Sequence, residues 1–388
     1  MSPTDATTWP VEGLAADAPD EEPAEGIGLC LSGGGSRAML FHAGALWRLN
    51  ELGMLPRLDR VSSVSGGSIT AGVLGTRWGE LAFDASTGVS PRFEAAIVAP
   101  LRRLAGRNLD IRLGIEGLLL PGVNAADRYR DALGTHLYGD ATLADLPAPG
   151  EGPRFIFNAT NLASGVLWRF SRPYARDWRV GSIPAPKFSI ATAVAASGAF
   201  PPFFAPLELD VSPDDFEPGS GSGLQLPGYT ERIRLGDGGI YDNLGLETVF
   251  KRCRTVLVSD GGGRLADDPA PPTDWPRQML RVMKIIDNQV RSLRKRLLIA
   301  AYERGDREGA YWGIRSSIEE YGAPGALPCP PDATRILAEL PTRLARVPAA
   351  RQRGLINWGY AIADAAIRSG DAARFEPPVR FPYEGGVG

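Results

Sequence analysis

Three consecutive glycines, Gly33, Gly34 and Gly35, separate the apolar run GIGLCLS (26–32) from a stretch of helical character beginning at Arg37. Glycine is costly to order and packs nothing, so a run of three marks a place where something approaches the backbone closely. Bare amides at a helix start attract negative charge. Two ligands meet that description: a phosphate, or the oxyanion of an acyl-transfer reaction. The P-loop form is excluded, because no G-K-[ST] follows. The dinucleotide form is met in part, since Gly33, Gly35 and Ala38 satisfy G-x-G-x-x-A after a strand. Its ribose-holding acid belongs at the end of the second strand, whereas Asp59 precedes that strand.

The second strand leads into SSVSGGSI, where Ser65 has Ser63 two residues before it and Gly67 two after. A serine on a tight strand-to-helix elbow needs small residues at those positions, because the turn folds the backbone against itself. Serine stands here where the usual GxSxG pattern has its first glycine. A glycine loop at one helix start beside a serine elbow at another would supply an oxyanion hole and a nucleophile together.

Such a serine needs a base, and the chain has two histidines. His136, in ALGTHLYGD, has no acid pattern around it. His42, in LFHAGAL, reads as a helix residue packing behind the glycine loop. A direct Ser–Asp dyad therefore replaces the Ser–His–Asp triad as the expectation. Asp237 in RLGDGGIYDNLG and Asp260 in VLVSDGGG both sit where a strand ends in glycines, and spacing does not choose between them. Each also suits an Asx turn.

The elements that must position these groups follow from the pattern of the chain. At 388 residues, 44% hydrophobic and with a mean hydropathy of -0.11, it has ample apolar material for a core. No run of eighteen apolar residues suggests a membrane span, and the N-terminus has no signal-peptide pattern. Net charge is -3, yet residues 1–26 carry seven acids and no Lys or Arg. This Pro- and Ala-rich leader is expected to stay disordered, and the mildly basic remainder does not call for nucleic acid. Cys30, Cys253 and Cys329 are far apart, and they read as buried thiols in a reducing compartment, without a metal site. Strands alternating with helices predict an α/β layered fold with a largely parallel sheet. RFIFNATNL and GVLWRFS read as paired strands, and FSIATAVAASGAF reads as a buried helix.

Two segments bear on lipid. The apolar stretch around GIEGLLLPG, within residues 113–122, reads either as a lid or as core. A helix over about 274–304 repeats Met283, Ile286, Val290, Leu293 and Leu297 at three- and four-residue spacing, with Arg277, Arg281, Lys284, Arg291 and Lys295 as a basic stripe. Its apolar side is expected to lie buried beneath a solvated face; the alternative is that the helix settles on anionic headgroups.

Four blocks in order resemble the patatin-like phospholipases. SGGGSRA is similar to the family's oxyanion loop, with Ser32 in place of Asp and Ala38 in place of Gly. SVSGG is similar to its elbow, AASGAFPPFFAP (195–206) to its block of small residues, aromatics and prolines, and DGGIYDN to the block with the catalytic Asp. The resemblance implies a three-layer α/β/α sandwich with a mostly parallel central sheet, needing neither metal nor cofactor. It assigns Ser65 as nucleophile and Asp237, in preference to Asp260, as base. Gly33, Gly34 and Gly35 become the oxyanion hole. Arg37 matches the family's arginine, which either pairs with a substrate phosphate or ties the loop to a carboxylate. The chain would then be a leader (1–26) and one catalytic domain (27–388), with insertions at about 80–150 and a helical extension at about 319–388. That extension receives no chemistry. The implied protein is a cytoplasmic lipid acyl hydrolase, peripheral to membranes, acting on a phospholipid or other fatty-acyl ester; secretion without a signal peptide stays open. Two other functions also stay open: a catalytically silent interaction module on the same fold, and a dinucleotide-binding protein.

Overall fold

The computed structural model describes residues 24–109, 125–201, 204, 206–370 and 375–388. The stretch 113–122 and nearly all of the leader lie outside them. Layering is written into the first strand, β1 (Ala24–Leu31), where Leu29 and Leu31 enter one apolar core and Cys30 enters a second. The last long strand, β9 (Cys253–Asp260), divides likewise, with Leu257 on one face and Val256 and Val258 on the other. Strands buried on both faces require helices on both.

The centre of the sheet is parallel: β10 (Glu308–Gly313), β9, β1, β2 (Arg60–Ser63) and β3 (Arg154–Asn161) lie side by side in that order. Beyond β3 the sheet continues antiparallel through β4 (Val166–Ser171), β5 (Tyr174–Asp177) and β6 (Gly181–Pro184). β3 and β4 are the two strands that the aromatic runs predicted. Helices α1 (Gly35–Glu51) and α2 (Gly66–Thr76) follow β1 and β2 directly. The crossover from β2 to β3 carries α3 (Ala99–Ala105) and α4 (Ala125–Leu133), and α5 (Ile190–Ser197) is the expected buried helix.

One strand enters against the grain. β7 (Leu207–Asp210) and β8 (Arg232–Asp237) form an antiparallel pair, and β8 also pairs antiparallel with Ala159–Asn161 of β3. β4 already occupies one edge of that part of β3, so β8 lies on the edge that β2 uses lower down, as far as Phe157. β2 and β8 therefore run toward each other along a single edge and stop nearly end to end.

Three helices complete the layers: α6 (Trp275–Arg304), α7 (Pro331–Ala338) and α8 (Ala349–Gly370). Part of the basic set of α6 is engaged by the body of the protein, while Arg277, Lys284 and Arg296 stay exposed. Arg294 pairs with Asp242 and Glu247 at 3.5 and 2.7 Å, Arg281 donates to the Ala266 carbonyl, and Lys295 lies over the Tyr311 ring. Most of its apolar stripe faces outward, against the expectation of burial: Ile286 is 57% exposed, Leu293 58% and Leu297 47%, while Met283 and Val290 are half-buried. Charged anchors at Asp242 and Glu247 fix the rotation of the helix, and the apolar side follows.

The C-terminal extension belongs to the core. α8 crosses α1 with backbones touching: a Cβ on Gly359 would lie 1.9 Å from the Phe41 carbonyl oxygen, and one on Gly44 would lie 1.9 Å from that of Ile356. Replacing Gly359 with Ala forces the helices apart and should cost about 1–3 kcal/mol of stability or more, read as a lower midpoint in urea unfolding.

Candidate active site

At the end of β2 the chain turns so sharply that Ser65 adopts φ 50° and ψ -115°. Serine pays a steric cost for a positive φ, and the surroundings must hold it there. The two glycines after it are dictated by close approach. A Cβ on Gly66 would sit 2.3 Å from the Gly35 oxygen, and one on Gly67 would sit 2.3 Å from the Leu31 oxygen. The elbow and the glycine loop are thus pressed backbone to backbone. Gly35, itself at φ 60°, has the same relation to Arg343 of the C-terminal extension, whose carbonyl accepts from the Ser36 amide.

Ser65 and Asp237 come together where β2 and β8 end, near enough for the serine hydroxyl to act on the Asp237 carboxyl. Asp237 is buried, and its Oδ1 accepts from the Gly239 amide at 2.7 Å. Burial pushes its pKa up to about 7; the Gly239 amide and Ser65 hydroxyl oppose the rise, and Asp287 of α6 adds to it. A carboxyl raised in the fold favours the native state below its unfolded pKa, and that contribution is lost as pH climbs through about 7.

The end of α5 and the residues just after it hold both partners. The Ser65 amide donates to Ser197 Oγ at 3.0 Å, while the amides of Asp237 and Gly238 donate to the carbonyls of Ala199 and Ser197 at 2.8 and 3.2 Å. Ser68 bridges Ser197 and Ser63 at 2.8 and 2.9 Å. Ser197 is a positioning residue that sequence reasoning passed over. Its signal lay in the small-residue block AASGAF, where a hydroxyl stands among alanines.

Asp260 stands apart. It ends a parallel strand, and its two oxygens accept from the Gly262 amide and the Tyr311 hydroxyl at 2.9 and 2.8 Å. Burial would raise its pKa, but Arg291, these two donors and Lys295 together hold it below the usual value. It remains an ionised anchor, out of the serine's direct company.

The glycine loop departs from expectation at one residue. The Gly33 amide donates to the Asn243 carbonyl at 3.0 Å, so it is already satisfied. The amides of Gly34, Gly35 and Gly66 donate to no acceptor among the described residues. Gly35 N lies 2.8 Å from where a Gly66 Cβ would stand, beside the elbow. On the side where a Cβ would lie, Gly34 and Gly35 are packed against the backbones of Gly261 and Arg343. Arg37 also differs from both expected roles: it ties the loop to carbonyls, neither to a carboxylate nor to a free phosphate position. Its guanidinium donates to Gly261 twice (2.9 and 3.3 Å), to Ala338 (2.9 Å) and to Leu340 (2.7 Å). His42 packs behind the loop, with Nε2 at 2.9 Å from the Ser32 carbonyl and Nδ1 at 2.8 Å from Ser259 Oγ. The carbonyl can only accept, so Nε2 carries the proton.

A serine on a strained strand–helix elbow, a buried aspartate beside it and a cup of amides without acceptors among the described residues are thus gathered at one place in an α/β/α sandwich. The sequence profile described as patatin-like phospholipase matches residues 29–250, and the chain belongs to that family. The fold is similar to that of human GIVD cytosolic phospholipase A2, at a TM-score of 0.51 and 15% identity, over 90% of this chain and 59% of that one. A second structure of that enzyme, with methyl gamma-linolenyl fluorophosphonate and terbium chloride, gives a TM-score of 0.50 at 15% identity, over 90% and 58% of the two chains. VipD from Legionella pneumophila gives 0.37 at 17% identity, over 88% and 66%. The chain thus spans under two thirds of the human enzyme's length. No curated protein sequence matches it. No helix among the described residues is long and apolar enough to cross a membrane.

Burial lowers the His42 pKa to about 4, against the pull of the Ser32 carbonyl and Asp260. Its ring NMR signals should therefore stay those of the neutral Nε2–H form across neutral pH and move only as the pH approaches about 4. A titration near the ordinary histidine value would contradict this environment.

Proposed function

We propose that this protein hydrolyses fatty-acyl esters through a Ser65–Asp237 dyad, with a phospholipid or lysophospholipid as substrate. The observation that carries the reading is the approach of the Ser65 hydroxyl to the buried Asp237 carboxyl beside unsatisfied amides. Asp237 takes the proton as Ser65 Oγ attacks the acyl carbonyl. The tetrahedral oxyanion is met by the Gly34 and Gly35 amides, with Gly66 completing the cup. Collapse of this intermediate expels the alcohol, protonated by Asp237, and leaves an acyl-serine. Water, deprotonated by Asp237, attacks that ester, and the returning proton restores Ser65. The catalytic unit is proposed to be a single domain from residue 27 to 388, because the 319–388 segment buttresses the loop at Arg343, Ala338 and Leu340.

Ser65→Ala should lower kcat on a soluble acyl ester by roughly 10³-fold or more and abolish labelling by a fluorophosphonate probe. Asp237→Asn should do the same, and Asp260→Asn should cost far less. Wild-type turnover by Ser65→Ala would end the reading. The base must be ionised, so kcat/KM should rise with pH to a plateau above about 7.

The substrate class favours peripheral contact with lipid. Helix α6 carries eight Lys or Arg against two acids and presents its apolar stripe outward, a combination that suits an anionic lipid surface. The protein should sediment with vesicles containing phosphatidylglycerol, less so at high salt. Ile286→Glu combined with Leu293→Glu should abolish the pelleting; unchanged pelleting would exclude α6 as the contact.

A further inference from the structure

Arg37 is fully engaged by carbonyls, which leaves the phosphate of a phospholipid without the partner expected from the sequence. A different group of cations stands nearby. A cavity of about 380 Å³ opens between α6 and the end of β10, lined by Arg264, Arg291, Lys295 and Arg315, with Asp260 and Glu320 as its acids. The Asp260 oxygens are already taken by Gly262 and Tyr311. Among the described residues, nothing accepts a hydrogen bond from the guanidinium of Arg291 or Arg264. The cations also repel one another. After burial, Arg315 and Arg291 help to lower the Arg37 pKa to about 10, and Arg264 and Arg291 act on Arg315 in the same direction. Cations gathered this way are stabilised by an anion, and guanidinium groups suit the geometry of phosphate.

The cavity adjoins the nucleophile. Asn243 is the wall between them: its Nδ2 lies 3.4 Å from where a Gly262 Cβ would stand, on the side of Arg291. Its Oδ1 lies 2.3 Å from the corresponding position on Gly33, a point that is itself 3.3 Å from Ser65 Cβ. One side chain separates the two spaces, comparable with the few bonds between the phosphate and an ester carbonyl in a glycerophospholipid.

We propose that this cavity is the headgroup subsite, taking the phosphate of a phospholipid, chiefly through Arg291 and Arg264, while the acyl carbonyl lies at Ser65. The assignment rests on the hydrolase reading above and makes the substrate an anionic phosphoester.

Binding without turnover tests it separately from catalysis. Ser65→Ala protein is titrated calorimetrically with dibutyryl phosphatidic acid, with uncharged dibutyrylglycerol and with inorganic phosphate. The phosphatidic acid should bind at least tenfold tighter than the uncharged lipid and far tighter than inorganic phosphate. Adding Arg291→Ala should bring the ratio of the two lipids close to one. Arg264→Ala, at an exposed position that cannot disturb the core, should lower it severalfold, and Arg291→Lys should keep part of it. A ratio within twofold in the Ser65→Ala protein, or one unmoved by both alanine variants, would overturn the subsite. Inorganic phosphate binding as tightly as the phosphatidic acid would make it a free-anion site and overturn the headgroup assignment. Should the wild type hydrolyse no ester while the ratio behaves as expected, the hydrolase reading falls and the subsite stands.

Discussion

The rest of the site depends on the shared edge of β3. A strand edge offers one row of hydrogen-bonding groups, and here two strands of opposite direction divide it, β2 below and β8 above. Where they meet, both must leave the sheet. β2 does so through the elbow that throws Ser65 out at positive φ, and β8 does so through Asp237 and the turn beginning at Gly238. Asn158 of β3, at the junction, donates to Ser62 Oγ and the Ser63 carbonyl at 2.9 Å each, and Thr160 donates to the Asp237 carbonyl at 2.8 Å. Ser65 and Asp237 are neighbours because the sheet has no other place for two colliding strands to go.

Backbone contact does the remaining positioning. Gly35 lies between Gly66 on one side and Arg343 on the other, so the glycine loop is compressed between the elbow and the C-terminal segment. Side chains enter at the second level. Arg37 draws the loop toward Ala338 and Leu340, and His42 bridges Ser32 and Ser259 beneath it. A buried cation and a neutral histidine are thereby spent on holding amides in place.

Much of this was legible in the amino-acid sequence. A glycine triplet after an apolar run, and Ser65 between Ser63 and Gly67, are local patterns whose cause is the backbone at the same place. The paired strands after residue 154 and the buried helix before Gly198 were legible for the same reason. Other features depend on partners far along the chain. The direction of β8 cannot be read from RIRLGD, because it is set by the β3 edge it meets. The satisfaction of the Gly33 amide requires Asn243, and the ties of Arg37 require carbonyls some 300 residues later. Periodicity placed the apolar residues of α6 on one side of a helix; it carries no information about which way that side points. Its orientation came from Arg294 and the two acids that hold it.

The three residues from Ser197 to Ala199 grip the serine's amide with a hydroxyl and the aspartate strand's end with two carbonyls. Ser65 and Asp237 are thus mounted on one short bracket. A shift of the end of α5 would carry both along the same vector and leave the gap between oxygen and carboxylate unchanged.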